Sequence, residues 1–376
     1  MRVFFDNAAT TPVHDEVIHV MTQCLKETFG NPSSTHSFGR DAKALLEESR
    51  RKIAKILGAK PSEIFFTSCG TESNNTILKN SIKNLDVKEI WTTPIEHPSV
   101  FNTSSELGAS VPITYLELNK DGSVNLESLR NRFKETKNKV LVSAMHANNE
   151  VGIINDIKAI AEICQENGAL FHSDMVQTMG HLPIKFDEIK VDFASASAHK
   201  FHGPKGVGFM FVRQPHQLQA FITGGSQERG FRSGTENMAS IIGMAKALEL
   251  ATADIESDIL HLNNLRLKLM EKLQTAFPTI EFINSIDTSL CTIVSCVFPA
   301  EFDSEMLLFQ LDMKGIACSG GSACSSGANK ASHVLAQFDI PSNRKVVRFS
   351  FSKFNNLDEI DFCVSKIKEL QSESQA

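Results

Sequence analysis

Lys200 stands directly after a Ser-x-His step, in Ser197-Ala198-His199-Lys200, just beyond the apolar stretch Val191–Ala194. A glycine-rich turn, Gly203-Pro204-Lys205-Gly206, and a second apolar run, Val207–Val212, follow it. A lysine at a strand end can be desolvated, which lowers its pKa and makes the amine a nucleophile for carbonyls. That is the requirement for a Schiff base with an aldehyde cofactor such as pyridoxal phosphate (PLP). A second nucleophile lies downstream, in Cys318-Ser319-Gly320-Gly321-Ser322-Ala323-Cys324-Ser325-Ser326-Gly327. A glycine- and serine-rich loop belongs on the surface, where a thiol is open to oxidation, so Cys324 reads as a functional group. Cys24 and Cys164 lie on helical apolar faces and read as packing residues, and Cys318 reads as packed at a strand end.

Other polar clusters also follow strand-like runs. In an open α/β sheet, ligands bind outside the carboxyl ends of the strands. Asp174 and Gln177 follow Ala169–Ser173, and a carboxylate there could keep a pyridine nitrogen protonated. Ser68-Cys69-Gly70-Thr71-Glu72-Ser73 follows Ile64–Thr67 and leads into a helix, so it could present backbone N–H groups to a phosphate or serve as a plain N-cap. His97, in Glu96-His97-Pro98, could lie on an aromatic cofactor and move protons. His146-Ala147-Asn148-Asn149-Glu150 offers paired amides, which are also common turn formers. Arg348 interrupts the apolar run Val346–Phe351, which implies a carboxylate or phosphate partner, either a ligand or a structural salt bridge.

The elements that must hold these residues form an α/β rhythm. Apolar spacing through Ala44, Leu45, Ile53, Ile56 and Leu57 predicts a helix over Asp41–Leu57, stopped at Gly58. Strands are expected at Ile64–Thr67, Glu89–Thr92, Ile113–Leu116, Val140–Met145, Ala169–Ser173, Val191–Ala194 and Val207–Val212. Helices are expected at Leu126–Phe133 and Asp156–Asn167, giving a mainly parallel sheet. A long helical pattern runs from about Ala239 to Phe277. Beyond it lies a smaller α/β unit, with strands Glu281–Ile283, Thr292–Phe298 and Val346–Phe351 and helices Ser304–Lys314 and Leu357–Leu370. The boundary falls in the helical stretch. Residues 15–254 form the expected large domain, and 255–376 the small one, which carries the cysteine loop at about 316–330. Pattern alone favours neither unit for residues 1–14, which are grouped with the small domain.

At 376 residues the chain can bury two cores. Its 41% hydrophobic and 22% charged content is that of a globular protein, and a net charge of −6 makes no case for nucleic acid as a main partner. No apolar run approaches the roughly 20 residues of a membrane span. The opening Met1-Arg2-Val3-Phe4-Phe5-Asp6 reads as a strand rather than a signal peptide, so a cytoplasmic protein is expected. None of the eight cysteines forms a Cys-x-x-Cys pair, so no metal site is indicated and free thiols are expected.

Several segments, taken in order, resemble the cysteine desulfurases, the NifS/IscS-like branch of the PLP-dependent class V aminotransferases. They are Phe5-Asp6-Asn7-Ala8-Ala9-Thr10-Thr11-Pro12, Phe29-Gly30-Asn31-Pro32-Ser33-Ser34, Phe66-Thr67-Ser68-Cys69-Gly70-Thr71-Glu72-Ser73-Asn74, His146-Ala147-Asn148-Asn149-Glu150-Val151-Gly152, His172-Ser173-Asp174-Met175-Val176-Gln177, Ser197-Ala198-His199-Lys200, Gly203-Pro204-Lys205-Gly206, Arg232-Ser233-Gly234-Thr235 and Gly321-Ser322-Ala323-Cys324. The resemblance implies PLP-dependent transferase fold type I: a large domain with a mainly parallel mixed sheet flanked by helices, plus a smaller α/β C-terminal domain. It also implies roles. Lys200 would carry PLP and later remove the substrate Cα proton. Asp174 would pair with the pyridinium nitrogen, Gln177 would bond the ring hydroxyl, and His97 would stack on the ring. Gly70, Thr71, Ser197 and His199 would hold the phosphate, joined by Thr235 from the other subunit of a homodimer. Asn149, beside the cofactor, and Arg348 would bind the substrate carboxylate, assisted by Asn31. Cys324 would take the sulfur of L-cysteine as a persulfide, releasing L-alanine, and pass it to an iron–sulfur scaffold or a tRNA-thiolation enzyme.

Two features depart from the family. Cys69 occupies a position usually held by glycine, and fits only if its side chain points away from the cofactor. The chain also ends soon after Leu370, where many relatives carry a longer tail for docking a scaffold protein, which leaves the acceptor open. A selenocysteine lyase or another class V PLP enzyme is the alternative activity, because selenium can leave without a loop thiol. A non-catalytic scaffold in a sulfur-transfer complex is the alternative from another class; Lys200, Asp174, His97 and Cys324 together argue against it.

Overall fold

The strands of the N-terminal two-thirds serve two cores at once. In the computed structural model, which describes residues 1–283, 285–302, 306–320 and 332–374, the chain begins with β1 (Val3–Phe4), α1 (Asp15–Glu27) and α2 (Ser37–Ile56). There follow β2 (Ile64–Thr67), α3 (Gly70–Leu85), β3 (Glu89–Thr92), α4 (Pro98–Leu107), β4 (Ile113–Tyr115), α5 (Leu126–Phe133), β5 (Val140–Ser143), α6 (Ile157–Glu166) and β6 (Leu170–Asp174). Then come β7 (Phe193–Ser197), β8 (Gly208–Val212), α7 (Met238–Ala253) and α8 (Ile255–Ala276). Successive side chains of a strand point to opposite faces. Accordingly Ile64 and Phe66, Val140 and Val142, and Ala194 and Ala196 enter a core shared with α2 and α7. Their neighbours Phe65, Leu141 and Phe193 enter another, with Ile77 and Leu78 of α3. Strands buried on both faces read as the continuous apolar runs seen in the sequence.

Among the described residues the sheet order is β2-β8-β7-β6-β5-β3-β4. β4, β3, β5, β6 and β7 pair in parallel, and β8 runs antiparallel to both β7 and β2. The mainly parallel mixed sheet is therefore as expected. β2, β3, β5, β6 and β7 all end at the same edge, which is where a ligand site forms in such a sheet.

The C-terminal elements are β9 (Glu281–Phe282), β10 (Ile293–Val297), α9 (Leu307–Met313), β11 (Ile316–Ala317), β12 (Val346–Ser350) and α10 (Leu357–Ser374). β10 pairs antiparallel with both β12 and β9, and β1 pairs in parallel with β11. Leu265 and Leu269 of α8, Val347 and Phe349 of β12 and Ile360 of α10 share a core with Val3 and Phe5. No helix among the described residues is long and apolar enough to cross a membrane.

Three local expectations are corrected. The helical stretch from Ala239 to Phe277 is two helices that meet at Asp254. The break lets Met244 and Leu248 serve the sheet core while Leu262 and Leu265 serve the C-terminal core. Helices α1 and α4 were not anticipated, because their apolar positions are sparse: only Val17 and Cys24 are buried in α1. Strand β7 continues past Ala194 through Ser195, Ala196 and Ser197, so Lys200 follows a 3-10 turn, Ala198–Lys200, rather than the strand itself.

A buried ion pair secures the segment leading to Arg232 and Thr235. Arg50 of α2, 2% exposed, donates to both carboxylate oxygens of Glu228 at 2.7 and 2.8 Å, and Glu228 Oε2 also accepts the Phe66 N–H at 2.8 Å. Glu228 and Arg229 have φ of 45° and 57°, a left-handed backbone uncommon for such residues. Glu228→Ala would leave Arg50 buried without its partner. Urea unfolding is expected to show a loss of about 3–5 kcal/mol, and a loss under about 1 kcal/mol, as for a surface pair, would refute this role.

Candidate active site

Lys200 ends the 3-10 turn that follows β7, and His202, at φ 64°, then reverses the chain. Lys200 Nζ donates to the carbonyl oxygens of Ala8 at 2.5 Å and Ala9 at 2.8 Å. Gln177 Nε2 donates to the same Ala8 oxygen at 3.0 Å. Thr11 N and Thr11 Oγ1 both donate to the His199 carbonyl at 2.9 Å, so the opening segment is stitched to the lysine turn. Around Lys200 lies a cavity of about 250 Å³ whose walls include Gly70, Thr71, His97, Asn149, Asp174, Gln177, Ser197, His199 and Arg348. A cleft of about 610 Å³ beside Tyr115 and His333 is larger, so convergent chemistry rather than volume marks the candidate site.

Each wall has an identifiable origin. Asp174 ends β6, level with Ser195 of β7, and is 5% exposed. Its Oδ2 accepts from Asn74 Nδ2 at 2.7 Å and its Oδ1 from the Val176 N–H at 2.9 Å. His97 is the N-cap of α4, with Pro98 in the first turn; its Nδ1 accepts the Ser99 N–H at 3.1 Å and lies 2.7 Å from Ser99 Oγ. Burial holds the His97 imidazole below its ordinary pKa against the pull of Asp174. Gly70 opens α3, where the first N–H groups have no partner within the helix. A Cβ on Gly70 would come within 2.6 Å of Val176 Cγ2, so the turn admits only glycine without a shift. Cys69, the N-cap of α3, is part of the wall, and its Sγ accepts from Ser68 Oγ at 3.7 Å. Burial, with Lys200 and Lys205 nearby, pushes His199 down to about 4.

Arg348 comes from the centre of β12 and is 1% exposed. It donates through Nη2 to Asp6 Oδ1 and through Nη1 to the Asn149 carbonyl, each at 2.6 Å, so the salt-bridge reading of Arg348 is realised at the cavity wall. Its Nε is buried with no partner among the described residues. Ser319 Oγ shares Asp6 Oδ1 at 2.8 Å. Ser332 Oγ donates to Glu150 Oε2 at 2.6 Å. Cys324 lies outside the described residues. Cys24 and Cys164 are buried, which pushes both thiols up.

Asn31 and Thr235 are exposed and lie outside the cavity. Asn31 Oδ1 accepts the Ser33 N–H at 2.9 Å, and Thr235 borders a separate cleft with Ser68 and Arg232. Asp6, Asn74 and Ser99 had no role assigned from sequence, although Asp6 and Asn74 fall inside recognised segments. A polar residue between apolar positions of α3 was the available signal for Asn74.

The residues fit pyridoxal phosphate. A glycine turn at a helix start with Thr71, Ser197 and His199 suits a phosphate, Asp174 suits a pyridine nitrogen, and Lys200 suits an aldehyde. Fold and cavity together are those of PLP fold type I enzymes. The family model for aminotransferase class-V matches residues 3–362. A cysteine desulfurase IscS of Dictyoglomus turgidum is 39% identical over 374 residues, covering 98% of this chain and 94% of the relative. Another from Methanosarcina thermophila is 39% identical over 380 residues, covering 98% and 91%. A solved structure of a NifS-like protein superimposes with a TM-score of 0.92 at 38% identity, covering 99% of this chain and all of that one (100%). The chain belongs to the aminotransferase class-V family of PLP-dependent enzymes.

The buried titratable groups set a pH profile. Burial pushes Glu96 up to about 8, while His146, His172, His199 and His202 are pushed down to about 4. Between pH 4 and 6.5 the unfolded chain binds more protons at these four histidines, so stability rises with pH. Between 4.5 and 8 the folded chain binds more at Glu96, so that group lowers stability as pH rises. The urea midpoint is expected to peak near pH 6.5 and decline toward 8. Glu96→Gln, which keeps the acceptor for Thr93 Oγ1 and the Met145 N–H, is expected to flatten the decline. An unchanged decline would refute a protonated Glu96.

Proposed function

We propose that the protein is a cysteine desulfurase that converts L-cysteine to L-alanine and passes the sulfur to Cys324 as a persulfide. One observation carries the reading: a single cavity gathers the Lys200 amine, the Asp174 carboxylate and the His97 imidazole beside the start of α3. When bound, PLP supplies an electron sink for the pair released with the substrate Cα proton. Lys200 holds the cofactor and takes that proton. Asp174 keeps the pyridine nitrogen protonated, Gln177 meets the ring hydroxyl, and His97 lies against the ring. Gly70, Thr71, Ser197 and His199 bind the phosphate, and Thr235 adds to it from the second subunit of a homodimer. Arg348 and Asn149, with Asn31, bind the substrate carboxylate. The Cys324 thiolate attacks the substrate sulfur: an S–S bond forms, the C–S bond breaks, and the carbon side takes the electron pair and a proton to leave as alanine. The sulfur then passes to an acceptor protein for iron–sulfur assembly or tRNA thiolation, in the cytoplasm.

The test is turnover of cysteine with PLP, with alanine measured and the protein weighed afterwards. An adduct of about 32 Da on Cys324, one sulfur atom added to the thiol, is expected. Lys200→Ala should lose the visible band of the lysine-bound cofactor together with all turnover. Cys324→Ala should lose cysteine turnover by several orders of magnitude, as removal of a nucleophile does. Wild-type turnover in that variant would overturn the assignment of the thiol, and activity confined to selenocysteine in the native protein would make it a selenocysteine lyase.

A further inference from the structure

We propose that Asn74 and Ser99 form a positioning relay that fixes the tautomer of His97 and ties it to the orientation of Asp174. The proposal rests on reading the Lys200 cavity as a PLP site and adds two residues to it. Asn74 lies four residues after Gly70, so α3 places both on one face, and both line the cavity. Its side chain is fully buried at 0% exposure. The two amide hydrogens are used in different directions: Nδ2 donates to Asp174 Oδ2 at 2.7 Å and to Ser99 Oγ at 2.9 Å. Turning the amide over would set its oxygen against a carboxylate oxygen, so Asp174 dictates which way it lies.

The direction of donation then propagates. Ser99 Oγ accepts from Asn74, which leaves its own hydrogen for His97 Nδ1 at 2.7 Å. The Ser99 N–H also points at Nδ1, at 3.1 Å. A ring nitrogen that accepts from two donors carries no proton, so the neutral imidazole has its hydrogen on Nε2. The relay is a clamp and not a proton wire, because donation runs outward from Asn74 at both ends. His97 therefore meets its surroundings as an N–H donor at Nε2. Asp174 favours protonation of this ring; burial, Lys200 and His333 oppose it.

One more observation marks Asn74 as more than packing. Its Oδ1 is buried with no partner among the described residues. Buried polar atoms are nearly always paired, and an exception calls for a reason. Both donations come from the nitrogen end, and that geometry leaves the oxygen unmatched.

The test is ring ¹⁵N NMR of histidine-labelled protein, with and without PLP, the His97 signals being assigned with His97→Gln. Native His97 is expected to show an unprotonated Nδ1 and a protonated Nε2 through neutral pH. Ser99→Ala should raise the pH at which the ring takes its second proton, and Ser99→Thr, which keeps a hydroxyl, should restore it. Asn74→Ala should move the same titration upward and also shift the pH dependence of the visible PLP band, because Asp174 loses a donor. Its kcat should fall about tenfold, as loss of an outer partner does at ligand sites, with KM little changed. A native Nδ1–H tautomer, or a His97 titration unmoved in both the Ser99→Ala and Asn74→Ala proteins, would overturn the relay. The NMR result stands apart from turnover: the expected spectra in a protein that does not desulfurate cysteine would sink the proposed function and leave the relay intact.

Discussion

The site depends on a short segment outside the named strands and helices, Asp6 to Thr11. It offers mainly backbone oxygens and small polar groups, yet most of the site leans on it. The Ala8 carbonyl accepts from Lys200 and Gln177, and Ala9 accepts from Lys200. Asp6 pairs with Arg348, Asn7 is bonded to Ser350, and Thr11 is bonded to the His199 carbonyl. Carbonyl oxygens withdrawn from water must find donors, and here the donors are the side chains that line the cavity. The segment thus bridges the edge of the seven-stranded sheet and strand β12, and the cavity lies where they meet.

Around this bridge the cavity is lined largely by groups kept neutral. His199, His202 and His172 are all pushed down to about 4 by burial. Neutral imidazoles close to Lys200 add no positive charge that would repel its ammonium. They can also act as hydrogen-bond donors or acceptors according to the partner each one finds. The permanent charge at the walls comes from Arg348, which is bound at once by Asp6 and by the Asn149 carbonyl.

The fold was legible because burial on both faces leaves a strong trace. Ile64–Thr67 and Glu89–Thr92 match the observed strands residue for residue. Lys200 and Asp174 stood out because each follows such a run. What could not be read were pairings between polar residues far apart in the chain. Asn74 meets Ser99 across 25 residues, Arg50 meets Glu228 across 178, and Asp6 meets Arg348 across 342. Such contacts have no period, and each residue alone resembles an ordinary cap or surface charge. The end of β7 was missed for a related reason: Ser195 and Ser197 look like turn residues, but neighbours on both sides keep them in the sheet.

The reversed strand β8 separates two tasks that a fully parallel sheet would join. Because β8 runs back along β7, residues 198–207 return directly without a crossover helix. The amine therefore sits on a hairpin-like return, while the glycine turn at Gly70 belongs to a strand-to-helix junction at the other side of β8. The reach of the lysine and the placement of the anion cradle are thus set by independent pieces of chain. Lengthening or reshaping the return would retune where the amine meets a substrate while the cradle stays in place, which gives this architecture a separate adjustment for each end of the molecule it holds.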